Sequence, residues 1–177
     1  MSADVPGFVP ESVDAWRAVT ANRIYQADVP LDRFTRLLGS LADAEGRCRF
    51  RLEFGRDALG AASIDLTAEA DLPLVCQRSL QRFVQPVRVE QKLGLLRSER
   101  EEKALAPETE PVLVPADGML NLLDLVEDEL ILALPVVPLS PRDPEADADN
   151  TPEPDDGDDE QRVNPFAALA ALKQKSS

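Results

Sequence analysis

Two consecutive stretches of alternating apolar and polar residues constrain the fold more than any other feature of the sequence. In the first stretch, the apolar residues fall on every second position: Cys48, Phe50, Leu52 and Phe54. The residues 61–76 alternate in the same way after the turn-forming sequence GRDALG. A period of two is typical of strands with one buried face. The pattern therefore predicts two antiparallel strands joined by a turn.

Further elements can be placed around this strand pair. Residues 22–30 predict a short strand that ends at a proline, and residues 83–96 predict another, in which Pro86 favours an edge or a bulge. Apolar spacing predicts helices at about 30–42 and 118–134. Because no helix separates the central strands, we expect an α+β fold in which the longer helix packs on one face of an antiparallel sheet of about four strands.

The charge distribution divides the chain into three parts. The segment Asp143–Glu160 contains ten acidic residues and no basic one, and such a composition cannot bury enough apolar surface to offset the entropy of ordering. We therefore predict one α+β domain over residues 1–139 and a disordered acidic linker over 140–163. A short C-terminal helix is expected over 164–175.

Several function classes lack their usual residues. The chain has no histidine and only two cysteines, Cys48 and Cys76, which are far apart, so the common zinc sites and nucleophile–base pairs are not expected. No phosphate-binding glycine motif occurs, and no apolar run approaches the length of a membrane span. We expect a cytoplasmic protein that is not an enzyme and uses no cofactor or metal.

The sequence LLDLVEDELILALP is read as an amphipathic helix. Its expected buried stripe is Leu122, Val126, Leu130 and Ala133, and its expected solvent face is Asp124, Glu127 and Asp128. Glu129 lies closer to the apolar stripe than the other acidic residues do. A partly buried carboxylate needs a partner, so we expect Glu129 to form an ion pair with an arginine. A carboxylate metal site or a hydrolase site remains as a weaker alternative.

Arginines on the predicted sheet are the main candidates for binding. Arg47, Arg49 and Arg51 share one face of a strand, and the surrounding arginines that could extend them are Arg78, Arg82 and Arg88. Arginine grips phosphate with two donors, so this face could contact an RNA backbone. The alternative is a solvated face on which these arginines pair across strands with acidic residues, namely Asp65, Glu69 and Glu90.

The end of the chain offers a second candidate. NPFAALAALK has an N-cap, a proline at the first helical position and a small apolar face. A helix this short is unstable alone, so we expect it to dock on its own domain or on a partner. The residues expected to take part are Asn164, Pro165, Phe166, Leu169 and Leu172.

Three motifs together resemble those of the YceD family of large ribosomal RNA subunit accumulation proteins. They are CQRSLQRF at residues 76–83, LLDLVEDELILALPVVPLS at 122–140, and NPFAALAALK at 164–173. The positions that match the family motifs within the first two are Cys76, Glu127, Asp128, Glu129 and Pro135. Family members commonly have C-x-x-C where this chain has Cys76 and Ser79, so a metal at this motif is not expected here.

The resemblance implies a role in the synthesis, processing or stability of the large-subunit (23S) ribosomal RNA. It implies no chemical mechanism. Combined with the arginine face, it predicts a non-enzymatic factor that binds RNA backbone or a ribosomal or assembly protein, with no DNA or membrane partner. The alternative is a protein-only adaptor that recruits a partner through the acidic linker and the C-terminal helix.

Overall fold

The structure, a computed structural model, describes residues 9–141. Two short α-helices and seven strands form this part of the chain. In chain order, the elements are β1 (Ser12–Asp14), α1 (Ala15–Thr20), β2 (Ile24–Pro30), β3 (Arg47–Arg56), β4 (Ala62–Val75), β5 (Arg82–Leu96), β6 (Glu110–Leu113), β7 (Met119–Asn121) and α2 (Leu122–Leu132). Three 3-10 helices lie in the connections, at Leu31–Arg33, Leu37–Ser40 and Glu99–Ala104.

Five of the strands form one mixed sheet in the order β2-β3-β4-β5-β6. The first three pairings are antiparallel, and β6 runs parallel to β5. The remaining strands, β1 and β7, form a separate antiparallel pair. The α+β class and the predicted strands at β2, β3, β4 and β5 are therefore confirmed, whereas the wholly antiparallel sheet of about four strands is wrong.

One face of the large sheet carries the core. Its strands contribute fully buried side chains such as Phe50, Leu52, Ile64 and Leu66. Leu122, Val126 and Leu130 of α2 are also buried in this core, as predicted, but Ala133 is exposed. Burial of this apolar surface is the main driving force for folding. The opposite face of the sheet is left to solvent, and it holds the candidate site.

Pro86 lies where β5 forms an edge of the sheet. The parallel partner β6 pairs with β5 only from Leu93 to Leu96, so Pro86 has a paired neighbour only on the β4 side among the described strands. Proline cannot donate a backbone hydrogen bond, and an edge position tolerates this loss. The prediction of an edge strand at Pro86 is confirmed.

The helix predicted over residues 30–42 is wrong. This segment forms two separate 3-10 turns, and its fully buried residues are Leu31, Phe34 and Leu37. Their spacing of three matches the three residues per turn of a 3-10 helix. In addition, the carboxylate of Glu127 accepts hydrogen bonds from the backbone N–H groups of Arg36 and Leu37. Those donors are therefore satisfied from outside the segment.

The helix predicted at about 118–134 is shorter, because β7 takes its first residues. Met119–Asn121 pairs with Ser12–Asp14, and Asn121 then caps α2 by accepting hydrogen bonds from the N–H groups of Leu123 and Asp124. An Asn side chain at this position is a strong start signal for a helix. No helix in the described part of the chain is long and apolar enough to cross a membrane.

Candidate functional site

The solvent-facing side of β2, β3, β4 and β5, here called the open face, carries charges of both signs. Its basic residues are Arg47, Arg49, Arg51, Arg82, Arg88 and Lys92. Its acidic residues are Asp28, Glu53, Asp65, Glu69, Asp71 and Glu90. Six basic and six acidic side chains leave this face close to neutral, so it is not the basic patch typical of nucleic-acid binding.

The strand register arranges part of the open face as a charge ladder. Asp28 pairs with Arg49, Arg49 pairs with Glu69, and Glu69 pairs with Arg88. The signs therefore alternate across four adjacent strands, which lie about 4.8 Å apart. Opposite charges at directly paired positions stabilise a sheet modestly. The ladder comprises Asp28, Arg49, Glu69 and Arg88.

Carboxylates hold four of the six predicted binding arginines, which are Arg47, Arg51, Arg82 and Arg88. Arg47 donates to the Asp28 carboxylate at 2.7 Å and to the Asp28 carbonyl at 2.7 Å. Arg51 donates to Glu53 at 2.6 Å, and this hydrogen bond lowers the pKa of Glu53. Arg88 donates to Glu69 and to Glu90, each at 2.5 Å. A phosphate at these positions has to compete with a carboxylate already in place.

Arg49 differs in this respect from Arg47 and Arg51 on the same strand. Its side chain is 73% exposed, and the nearest carboxylate oxygen, on Asp28, is 3.8 Å away. That distance is too long for a hydrogen bond. Arg49 therefore keeps most of its donors for an outside ligand, and it occupies the middle of the charge ladder.

A shallow cavity of about 650 Å³ lies over the ladder. Its lining includes the ladder residues Asp28, Arg49, Glu69 and Arg88, together with Thr67. Thr67 is the short side chain between Arg51 and Glu90 in the register, so it leaves room between two long ones. The open face is therefore a trough that offers donors and acceptors side by side.

Two of the predicted arginines lie away from this trough. Arg82 begins β5, six residues before Arg88 and about 20 Å along the strand, where it is held by Asp43 at 2.6 Å and Glu45 at 2.9 Å. Arg78 lies in the turn between β4 and β5 and is exposed. The six predicted arginines therefore do not form one patch.

Of the three acidic residues predicted on the solvent face of α2, Asp124 and Asp128 are exposed as predicted and Glu127 is not. Glu127, expected on the solvent face, is only 3% exposed and is bound by Arg36. Asp128 is exposed and accepts a hydrogen bond from the same guanidinium at 2.5 Å. The Arg36 guanidinium also donates to the backbone carbonyl of Asp124. These contacts fasten α2 to the 3-10 turn at Leu37–Ser40.

Glu129 is buried as predicted, with 8% exposure, but the expected arginine partner is wrong. The ion pairs of the described residues include Glu127 and Asp128 and do not include Glu129. Burial raises the pKa of Glu129 to about 7, and the nearby carboxylates of Glu110 and Asp128 add to this effect. Gln91 donates to Glu110, which is the neighbour on β6. Glu129 is thus a buried carboxyl group that has no basic partner among the ion pairs of the described residues.

The Cys76 motif forms the tight turn that connects β4 to β5, here called the Cys76 knuckle. Cys76 is buried, and its Sγ accepts a hydrogen bond from the Ser140 N–H at 3.4 Å. Hydrogen bonding from Ser79 is the main cause that lowers the pKa of Cys76. By contrast, burial raises the pKa of Cys48, in β3, to about 12. The knuckle brings Cys76, Ser79 and Ser140 together, a juxtaposition that sequence spacing alone did not predict.

The remaining predicted residues are those of the C-terminal segment and Pro135. Asn164, Pro165, Phe166, Leu169 and Leu172 lie outside the described residues. Pro135 follows α2 and is exposed. Within residues 9–141, no group of three or more His, Cys, Asp or Glu residues could hold a metal ion.

A family model described as Large ribosomal RNA subunit accumulation protein YceD matches residues 64–173, which is more than half of the chain. The chain belongs to the YceD family. A relative from Haemophilus influenzae, named Large ribosomal RNA subunit accumulation protein YceD, is 28% identical over 173 residues, which cover 94% of this chain and 97% of the relative. No solved structure matches the chain.

The family match has a defined place on the fold. It begins in β4 at Ile64 and includes the Cys76 knuckle and α2. The strand with Arg47, Arg49 and Arg51 precedes it, so the YceD family model covers only the β4 and β5 parts of the open face.

Proposed function

We propose that this protein is a non-enzymatic factor that supports accumulation of the large-subunit (23S) ribosomal RNA by binding a ribosomal or assembly protein at the open face. Membership of the YceD family supports the ribosomal role. The charge ladder Asp28–Arg49–Glu69–Arg88 is the observation that supports a protein partner. A surface of alternating sign complements another mixed-charge protein surface, and such complementarity provides specificity and register.

The overall charge supports the same choice. Residues 9–141 contain 15 basic and 22 acidic residues, a net charge of −7. A body of this charge is repelled by a polyanion such as RNA and attracted by basic proteins. Direct contact with RNA backbone is the second candidate, and the exposed, weakly paired Arg49 is the observation that favours it. The adaptor hypothesis, which relies on residues 140–175, remains a third.

Charge reversal at two neighbouring ladder positions separates these candidates. Arg49→Glu and Glu69→Arg variants are used to complement cells depleted of the protein, and the ratio of large- to small-subunit ribosomal RNA is measured. A protein partner that reads both signs is lost with either reversal, so we expect both variants to lower the ratio. If RNA phosphate is the ligand, Arg49→Glu lowers the ratio, whereas Glu69→Arg maintains it and strengthens binding of ribosomal RNA fragments in vitro.

A matched control comes from an exposed arginine away from the open face. Arg33 lies in a 3-10 turn and is exposed, so Arg33→Glu makes the same charge change without touching the ladder. Full complementation by all three variants would contradict binding at the open face and favour the adaptor hypothesis. An unchanged ratio in depleted cells without any complementation would contradict the ribosomal role itself.

A further inference from the structure

Exposed apolar side chains are concentrated at the end of the sheet that carries the Cys76 knuckle. Ten large hydrophobic residues in the described part of the chain are exposed, and six of them lie in two segments, 75–84 and 136–139. These six, here called the apolar end, are Val75, Leu80, Val84, Val136, Val137 and Leu139. Single exposed apolar residues are normal, but a concentration of them marks an interaction site.

Hydrogen bonds donated by backbone N–H groups hold the two segments together. The Gln77 N–H donates to the Pro138 carbonyl at 2.9 Å, and the Ser140 N–H donates to Cys76 Sγ at 3.4 Å. Val75 and Val84 lie diagonally across the β4–β5 pair on the same side of the sheet. Segments that are distant in sequence are therefore fastened side by side with their apolar residues in solvent.

Leu80 is the most unusual member of the apolar end. Its backbone has a φ of +56°, which residues other than Gly, Asn and Asp rarely adopt, and its side chain is 75% exposed. A leucine in this place is unfavourable for the backbone and buries almost nothing within the domain. Backbone strain of this kind is characteristic of functional positions.

The charge around the apolar end indicates what it binds. Residues 72–84 and 133–141 contain no acidic residue, although the chain as a whole has a net charge of −14. Arg82 is held by Asp43 and Glu45. Arg78, two residues from Leu80, is exposed and takes part in none of the ion pairs found among residues 9–141. An apolar surface with one available guanidinium is complementary to an apolar segment with a carboxylate.

We propose that the apolar end is a docking site for an apolar segment of a partner protein that carries a carboxylate for Arg78. A second copy of this chain fits less well for two reasons. Two-fold pairing of the apolar ends would place like-charged Arg78 side chains near each other, and residues 9–141 of both copies carry a net charge of −7 and repel each other. An anionic membrane surface repels a body of that charge. The site is separate from the charge ladder and does not depend on the function proposed for it.

The first test is photo-crosslinking in growing cells. A photoreactive amino acid replaces Leu80 in one variant and Leu59 in the other. Leu59 is the matched control because it is 74% exposed in the turn between β3 and β4. We expect a discrete adduct from position 80 and none from position 59, and mass spectrometry of the adduct identifies the crosslinked peptide. The proposal requires that peptide to contain both apolar residues and Asp or Glu.

The second test measures the affinity of the identified peptide, made synthetically, for the full-length protein. We expect Leu80→Gly and Arg78→Glu each to weaken binding at least tenfold, and Leu59→Gly to leave it within twofold. Glycine suits the left-handed backbone at position 80, so Leu80→Gly removes the side chain without threatening the fold. Replacing the peptide carboxylate by an amide should weaken binding to the wild-type protein and have no further effect on Arg78→Glu.

Several outcomes would overturn the proposal. These are no adduct at position 80, equal adducts at both positions, an adduct to RNA, an adduct between two copies or within one chain, and a crosslinked peptide whose affinity is insensitive to Leu80→Gly. Loss of binding with the ladder variants Arg49→Glu and Glu69→Arg but not with Leu80→Gly would support the open face alone and also reject the apolar end.

Discussion

Arg36 and Glu127 are joined through both the backbone and the side chain of the arginine. One carboxylate oxygen of Glu127 accepts the Arg36 N–H at 2.6 Å, and the other accepts the guanidinium Nε at 2.9 Å. The first oxygen also accepts the Leu37 N–H at 3.0 Å. Glu127 thus satisfies backbone donors of a segment that is 90 residues distant in sequence, and it determines where α2 lies against the 3-10 turn.

Removal of this carboxylate should destabilise the domain. Glu127→Ala leaves the N–H groups of Arg36 and Leu37 without their acceptor, and Leu37 is fully buried. We expect the free energy of unfolding in urea to fall by about 2–3 kcal/mol. The control is Asp128→Ala, since the side chain of Asp128 is 55% exposed and its loss should cost less than about 1 kcal/mol. Equal losses from both variants would contradict a specific role for Glu127.

Glu129 should make stability depend on pH in a defined window. Its pKa is about 7 in the folded protein, against 4.5 for the ordinary carboxyl group. Between about pH 4.5 and 7, the unfolded chain therefore loses this proton while the folded protein keeps it, so stability falls as pH rises through that window. The loss is complete above pH 7 and amounts to about 1–3 kcal/mol.

The matched variant for this prediction is Glu129→Gln, which keeps the shape of the side chain and cannot ionise. Urea unfolding at pH 5 and at pH 8 should show the variant gaining stability relative to the wild type at pH 8 only. If the free energy of unfolding of the variant differs from that of the wild type by the same amount at both pH values, ionisation of Glu129 does not destabilise the folded protein and the prediction is wrong.

Gly94 should tolerate no larger residue. A methyl group at this position on β5 would lie 2.6 and 2.8 Å from the two terminal carbons of Leu105 and 2.9 Å from Thr109. We expect Gly94→Ala to lower the free energy of unfolding by about 1–3 kcal/mol through overpacking. Gly39→Ala is the control, because no atom lies within 4 Å of the added methyl group; its effect on the midpoint of thermal unfolding should be neutral or slightly stabilising.

Leu80→Gly should separate stability from binding. Relief of the left-handed backbone favours the variant by about 1–2 kcal/mol, and the greater freedom of glycine in the unfolded chain opposes this by about 0.4–1 kcal/mol. Thermal unfolding should therefore show a midpoint that is unchanged or higher than that of the wild type. A clear fall in the midpoint would mean that the Leu80 side chain supports the fold rather than a partner.

The strands were predictable because their signal is local and repeated. Alternation at Cys48, Phe50, Leu52 and Phe54 indicates a strand with one buried face. The turn-forming sequence that follows indicates an antiparallel neighbour, and the turn lies between Arg56 and Ala62. The same pattern predicted which arginines share a face. It could not show that Asp28 and Glu69 flank Arg49, because a pairing register depends on both strands.

The errors arose where long-range contacts override local pattern. The segment 30–42 has helical apolar spacing, yet Glu127 supplies an acceptor for its backbone from α2. β6 contains only four residues, which is too few for its sequence to show a strand pattern, and it pairs in parallel with β5. Glu127 was expected in solvent, yet it is buried and has the arginine partner that was expected for Glu129. Helical position could not show this, because Arg36 approaches α2 from a distant part of the chain.

The pairing of β1 with β7 has a consequence for folding during synthesis. Asp14 and Met119 are partners in this ladder although about 100 residues separate them, which gives the domain contacts of high sequence separation. At about 5–20 residues per second, the ribosome makes β7 roughly 5–20 s after β1. During that interval, Val13 lacks its ladder partner Leu120, and the Ala15 N–H lacks the Gly118 carbonyl that accepts its hydrogen bond. The nascent chain therefore depends on the β2–β5 meander to bury its apolar residues first.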